Sequence, residues 1–269
     1  MTNHPITLAI PYHDPAGELT AALARSLPWI GERFAGISVN ASPETAPQAL
    51  DLLRGAGAQV EQTPRMFVEG VAQMGAIRRA VVGQALRMGA VWLFYCDGDR
   101  LLHWAERYPD ELTAALARIP AHDCTIFGRT ARAFASHPHT QVATEQIINN
   151  VFAAISGQDW DVTAAARGLS RRAAQAIVDG CAEDSFGVDA AWPLFLLRHG
   201  GFTLAEVKTE GLEFETAAQY EREVAAAGSE AAWKQRIDGD ARRWAFRLTV
   251  ARLEVAAMIP YQRSRTESQ

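Results

Sequence analysis

Val91-Trp92-Leu93-Phe94-Tyr95-Cys96-Asp97-Gly98-Asp99 decides how the chain is read. Six apolar residues in a row end in two carboxylates separated by one glycine. A short unbroken apolar run predicts a strand buried on both faces, as in parallel sheets. The acids then fall at its C-terminal end, where open α/β sheets bind ligands. On an extended backbone Asp97 and Asp99, two residues apart, point to the same side. Gly98 lets the chain turn and lets a ligand approach the backbone. Two hard oxygen ligands placed in this way suit Mg2+ or Mn2+. The plainer reading is a solvated acidic turn, for which Asp-Gly-Asp is equally good chemistry.

The segments before this stretch repeat a strand–helix rhythm. Residues 6–10 (Ile-Thr-Leu-Ala-Ile) read as a first strand, and Pro11-Tyr12-His13-Asp14-Pro15 turns the chain away from it. Leu19, Leu23 and Leu27 predict a helix over 18–27. Residues 36–40 read as a second strand, 46–55 as a helix and 59–62 as a weaker third strand. A helix over 75–88 carries the stripe Ile77, Val81, Val82, Ala85 and Leu86, with Arg78 and Arg79 near its start. The alternation predicts an α/β fold with a mostly parallel sheet flanked by helices.

After the acids, 110–118 reads as a helix and 124–128 as a strand. The pattern over 140–180 is helical, broken around 157–160, with Ser170-Arg171-Arg172-Ala173 as an N-cap and first turn. A helix over 190–199 closed by Gly200-Gly201, a strand over 202–207 and interrupted helices over 221–258 follow, then a polar, frayed end over 263–269. One domain is expected, with an α/β half over 1–135 and a mostly helical half over 136–269.

Composition narrows the function. The 269 residues are 48% apolar and 21% charged, which suits a globular enzyme, and the net charge of −5 argues against a nucleic-acid binder. Cys96, Cys124 and Cys181 form no paired motif and imply no disulfide framework. With no basic–apolar leader and no apolar run of about 18 residues, a cytoplasmic protein without a membrane span is expected.

Taken in order, the motifs resemble the GT-A glycosyltransferases, especially the large family 2 group. Ile10-Pro11-Tyr12-His13-Asp14 is similar to that family's first strand and loop, and Gly75-Ala76-Ile77-Arg78-Arg79 to its basic helix start. Asp97-Gly98-Asp99 matches its Asp-x-Asp motif. Phe186-Gly187-Val188-Asp189 resembles a stretch of the glucosyl-3-phosphoglycerate synthase and mannosylglycerate synthase relatives. The resemblance spans roughly residues 5–215 and implies a Rossmann-like GT-A fold, with nucleotide-sugar binding assigned to the 1–135 half and acceptor binding to the 136–269 half.

It further implies a UDP- or GDP-linked sugar donor, a small-molecule or saccharide acceptor and a divalent cation, with a possible homodimer surface in the helical half. Asp99 would hold the metal, and Asp97 the metal or the donor ribose. Pro11, Tyr12 and Asp14 would line the base and ribose pocket, and Asn40 stands where the family carries a nucleotide-binding acid. Gly75 opens a helix whose free N–H groups, with Arg78 or Arg79, would face the phosphates. Asp189 is the first candidate base for the acceptor hydroxyl, with Asp184 and Glu183 as alternatives; its plainer reading is a helix N-cap. Glu213 stands near the place of a third metal ligand.

Further candidates are weaker. His137 and His139 flank a proline and make an incomplete metal pair. His103 and Trp104 would shape the sugar pocket or pack the turn, and Trp160 and Trp192 would stack on a sugar or fill core. The competing functions are a haloacid-dehalogenase-type phosphatase using Asp97 and Asp99, and a non-catalytic nucleotide-sugar-binding module.

Overall fold

The computed structural model describes residues 5–215 and 220–262; the expected frayed end over 263–269 lies outside them. The elements run β1 (Ile6–Tyr12), α1 (Thr20–Arg33), β2 (Gly36–Ala41), α2 (Pro47–Gly55), β3 (Gln59–Gln62), β4 (Phe67–Val68), β5 (Val71–Ala72), α3 (Met74–Arg87) and β6 (Trp92–Cys96). Then follow α4 (Gly98–Arg107), α5 (Pro109–Leu116), β7 (Cys124–Arg129), α6 (Ala131–Ala135), α7 (His139–Ser156), β8 (Ala166–Ser170) and α8 (Arg171–Gly180). The chain continues through α9 (Val188–His199), β9 (Leu204–Thr209), α10 (Glu221–Ala227), α11 (Glu230–Asp238) and α12 (Ala241–Met258).

Seven strands form one sheet in the order β3-β2-β1-β6-β8-β7-β9, and β4 and β5 form a separate hairpin. All neighbours in the large sheet are parallel except β8, which is antiparallel to both β6 and β7. The expected mostly parallel sheet with flanking helices is therefore present. The period-2 alternation of β1 and β6 divides the core. Leu8, Ile10, Phe94 and Cys96 pack with residues of α1, α2, α4 and α5. Ala9, Leu93 and Tyr95 pack on the opposite face, against α3, α8 and α9. Phe94 sits edge-on to both Trp104 and Phe127, with ring centroids 6.1 and 5.6 Å away. A fully buried side chain of this size contributes about 1.5–3 kcal/mol.

The expected helical stretch over 140–180 is corrected by β8. Ala166-Arg167-Gly168-Leu169-Ser170 lacks the β-branched and aromatic residues that advertise a strand. Its place is set by tertiary packing: a Cβ on Gly168 would lie 2.6 Å from the Ile119 side chain. Arg167 is fully buried and donates to the carbonyls of Ala166, Val162 and Asp189. The Ser170 cap is as expected, its hydroxyl accepting from the Ala173 N–H. The strand expected over 202–207 is β9, two residues later. Among the described residues no helix is long and apolar enough to cross a membrane.

A candidate donor site at the strand tips

The parallel strands bring the ends of β1 and β6 to one edge of the sheet. There the backbone differs from the extended form expected of Asp-Gly-Asp. Asp97 is the N-cap residue of α4, and Gly98 and Asp99 already belong to the helix. The two acids still reach the same cavity, of about 350 Å³, together with Pro11, Tyr12, His13, Arg65, Phe67 and Met74. That volume lies at the lower end of small-molecule sites. A larger open groove of about 820 Å³ between α1 and α2 has, among the described residues, Asp51 as its only charged wall residue. Gly98 is needed for contact rather than for a turn: a Cβ there would meet the Tyr12 ring at 2.9 Å and the Pro11 carbonyl at 3.2 Å.

Asp97 is held from the α3 face of the sheet. The Arg78 guanidinium bridges it to Asp189, at 2.9 Å to each carboxylate, and the Tyr95 hydroxyl donates to its other oxygen. Arg78 is 2% exposed and so is enclosed between these two acids rather than open to solvent. Burial works against ionisation of Asp97, but Arg78 and the Tyr95 hydroxyl outweigh it and hold the carboxyl below its ordinary value. Burial raises Asp189 instead, only partly offset by Arg78. Glu254 of α12 is buried as well, and burial and the nearby Asp189 lift its carboxyl well above the ordinary range. Asp189 lies in the first turn of α9, with Gly187 at the N-cap, so the N-cap reading does not hold.

Other expected residues do structural work away from the cavity wall. Asp14 accepts from the N–H groups of Glu18 and Leu19 and fastens the approach to α1. Asn40 is buried and donates to Thr63, with its Oδ1 unpartnered. The start of α3 is covered: the N–H groups of Gly75 and Ala76 donate to the carbonyls of Ser185 and Asp184. A Cβ on Gly75 would lie 2.5 Å from the Glu183 carbonyl oxygen. These donors are therefore not open to phosphate, contrary to the sequence expectation. Arg79 binds the carbonyls of Cys181 and Glu183 and pairs with Asp184. Glu183 accepts from Ser185.

The remaining candidates also disperse. His137 and His139 point into different surroundings, one ring against Phe214 and the other against Trp244. Glu213 pairs with Arg132 and His103. Trp104 and Trp192 are core, and Trp160 stacks on Phe152. Tyr12 is itself buried, whereas the Phe67 ring at this cavity is 63% exposed.

Besides Phe67, the cavity residue that the sequence reading missed is Arg65. It lines the same cavity as the acids and donates to the Tyr12 carbonyl at 3.1 Å. Its other terminal nitrogen is buried with no acceptor. Burial lowers its pKa, with Asp97 and Glu44 acting in the opposite direction; a guanidinium remains charged throughout. The one signal for it was position, a cation in the loop just past a parallel strand on the ligand-binding edge.

Among the described residues no group of three or more His, Cys, Asp or Glu side chains gathers into a cage for a metal ion. The chemistry of the donor set nevertheless fits a hard cation brought in with its ligand. Asp97 and Asp99 supply carboxylate oxygens, and Mg2+-like ions commonly bind through one or two carboxylates plus substrate phosphates.

No protein-family model and no curated protein sequence matches the chain. Solved structures do. The crystal structure of M. tuberculosis glucosyl-3-phosphoglycerate synthase superposes with a TM-score of 0.58 at 11% identity, covering 96% of this chain and 81% of that one. A mycobacterial protein gives a TM-score of 0.50 at 13% identity, over 76% of this chain and 65% of that one. The same synthase in complex with Mn2+, UDP-glucose and phosphoglyceric acid gives 0.49 at 12% identity, over 76% and 69%. In architecture, this chain has the GT-A fold of the glucosyl-3-phosphoglycerate synthases.

Proposed function

We propose that the chain is a glycosyltransferase that takes its sugar from a nucleotide diphosphate donor, with a divalent cation held at Asp97 and Asp99. The observation that carries this reading is the cavity at the tips of β1 and β6, whose walls hold two carboxylates and an arginine with a buried nitrogen lacking an acceptor. The GT-A fold supports it. Breaking the anomeric bond leaves negative charge on the departing diphosphate, and a bound cation supplies Lewis-acid stabilisation of that charge.

The chain's own residues set the stage. Arg65 offers the diphosphate a charge-assisted hydrogen bond, a task the sequence reading gave to Arg78 or Arg79. Arg78 and the Tyr95 hydroxyl keep Asp97 ionised and fix its orientation. Phe67 offers the base a ring face. Asp189 acts through Arg78, which it anchors, rather than on the acceptor's proton.

Calorimetric titration with UDP- and GDP-linked sugars, with and without Mn2+, tests the reading. Metal-dependent donor binding is expected. Asp99→Ala should abolish Mn2+ uptake with the protein still folded. Arg65→Ala should weaken the donor about 10- to 150-fold, the equivalent of a lost charged hydrogen bond of ~1.5–3 kcal/mol. Unchanged Mn2+ and donor binding in Asp99→Ala, or no donor binding by the parent protein, overturns the proposal.

A further inference from the structure

A second cavity, of about 250 Å³, opens between the start of α7, α11 and α12. Its walls include the rings of Phe214, Tyr220, Trp233 and Phe246 and the guanidinium groups of Arg243 and Arg247. Phe214 and Tyr220 both lie against Trp233, with centroids 5.9 and 5.6 Å away and planes about 30° apart. Arg247 pairs with Glu145 through one terminal nitrogen, while its Nε is buried with no acceptor. Arg243 is exposed and makes no ion pair with the described residues.

We infer that this cavity holds one sugar ring of a saccharide acceptor. A pyranose has an apolar C–H face that packs on aromatic rings and an equatorial belt of hydroxyls that accept from planar, forked donors such as guanidinium. Ring hydroxyls would accept from the exposed Arg243 guanidinium on the cavity wall. Acidic residues offset the arginines nearby, Glu223 on the wall and Glu145 behind it, so a neutral sugar suits the site better than an anion. The cavity is linked to the donor site through adjacent residues. Phe214 lines it, and Glu215 reaches the Arg100 side chain, which follows Asp99. That the ring belongs to an acceptor rests on the transferase reading; that the cavity takes a ring does not.

Saturation-transfer NMR on the full chain would use glucose, mannose, galactose, N-acetylglucosamine, maltose and cellobiose as probes, with adenosine as the competing aromatic ligand. At least one sugar should receive saturation. Phe246→Ser and Arg243→Ala alter exposed side chains and should leave the fold intact while weakening that sugar about threefold to tenfold. Trp233→Ala should abolish its binding. UDP–Mn2+ titrations of the same variants should match the parent. No binding by any sugar, an affinity unchanged in Phe246→Ser and Trp233→Ala, or adenosine binding in place of sugar overturns the inference. Loss of UDP–Mn2+ binding by the parent protein, with sugar binding intact, overturns the transferase reading and the acceptor assignment but leaves the cavity a sugar site.

Discussion

Replacing Arg78 by methionine should be among the most damaging single changes in the chain, and a second substitution should repair most of the damage. The guanidinium is 2% exposed and lies 2.9 Å from both Asp97 and Asp189. Removing it strands two carboxylates. Asp97 keeps the Tyr95 hydroxyl and an opening to the cavity, with 21% of its side chain exposed, whereas Asp189 is 8% exposed and loses its ion-pair partner. Breaking a buried ion pair from one side costs about 3–5 kcal/mol. That is a large part of the ~5–15 kcal/mol that holds an ordinary domain together. At about 2–4 °C per kcal/mol it corresponds to a fall in Tm of roughly 6–20 °C. The double variant Arg78→Met/Asp189→Leu replaces the pair by apolar groups and should be more stable than Arg78→Met alone, by about 2 kcal/mol or more. Urea unfolding of the parent, both single variants and the double variant gives the coupling directly. Because Asp97 then lacks its orienting cation, Mn2+ affinity should stay low in the double variant even where stability returns. An Arg78→Met protein within about 1 kcal/mol of the parent, or a double variant less stable than the single, refutes the assignment of Arg78 as the bridge between the two acids.

Further expectations concern other parts of the molecule. Gly98→Ala places a methyl group 2.9 Å from the Tyr12 ring and 3.2 Å from the Pro11 carbonyl. It should cost about 1–3 kcal/mol and widen the donor cavity enough to weaken UDP, read by thermal unfolding and titration. His137 accepts from Arg129 at Nε2 and therefore carries its proton on Nδ1, which donates to the Ala133 carbonyl. Burial, with Arg129 adding to it, pushes its pKa down from 6.5 to about 3. The unfolded chain takes up this proton first, so the stability it contributes is complete above about pH 6.5 and declines towards pH 3. The slope reaches up to ~1.4 kcal/mol per pH unit. Urea midpoints measured from pH 7 down to about 5 should fall less steeply for His137→Gln than for the parent, and parallel slopes would contradict this. Gly168→Val should destabilise the protein by about 2 kcal/mol or more, because its branches would enter the space of the Ile119 side chain; a Tm equal to the parent's would show that β8 can shift.

The fold was legible wherever side-chain periodicity and burial coincide. The apolar run before Asp97 gave a strand because β6 is covered on both faces, and Leu19, Leu23 and Leu27 foreshadowed α1 because its core contact follows that spacing. β8 was hidden because its strand state comes from neighbours: Gly168 is required by Ile119, and Arg167 is buried only because three carbonyls receive it. In the site, motif spacing located Asp97 and Asp99 but not what holds them. That Arg78 turns inward while Arg79 ties down the 181–184 loop follows from the angle at which α3 packs, which no local pattern encodes. Arg65 and Phe67 were missed for the same reason, since a loop and a short hairpin carry them to the cavity without any periodic signature.

The reversed strand between β6 and β7 has a consequence for how the chain reaches its native state. The strand that ends in the acids has β8 along one side, and β8 follows it only after α4, α5, β7 and α7 have been made. A ribosome-bound or truncated chain ending near residue 135 would present β6 with an open, apolar hydrogen-bonding edge, a template for aggregation. Pairings this distant along the chain also close late and make for slow folding. The donor cavity, lined by residues 11–99, thus rests on a strand whose second edge is covered only when β8 arrives, and expression of the amino-terminal half alone should yield insoluble protein rather than a separable nucleotide-binding unit.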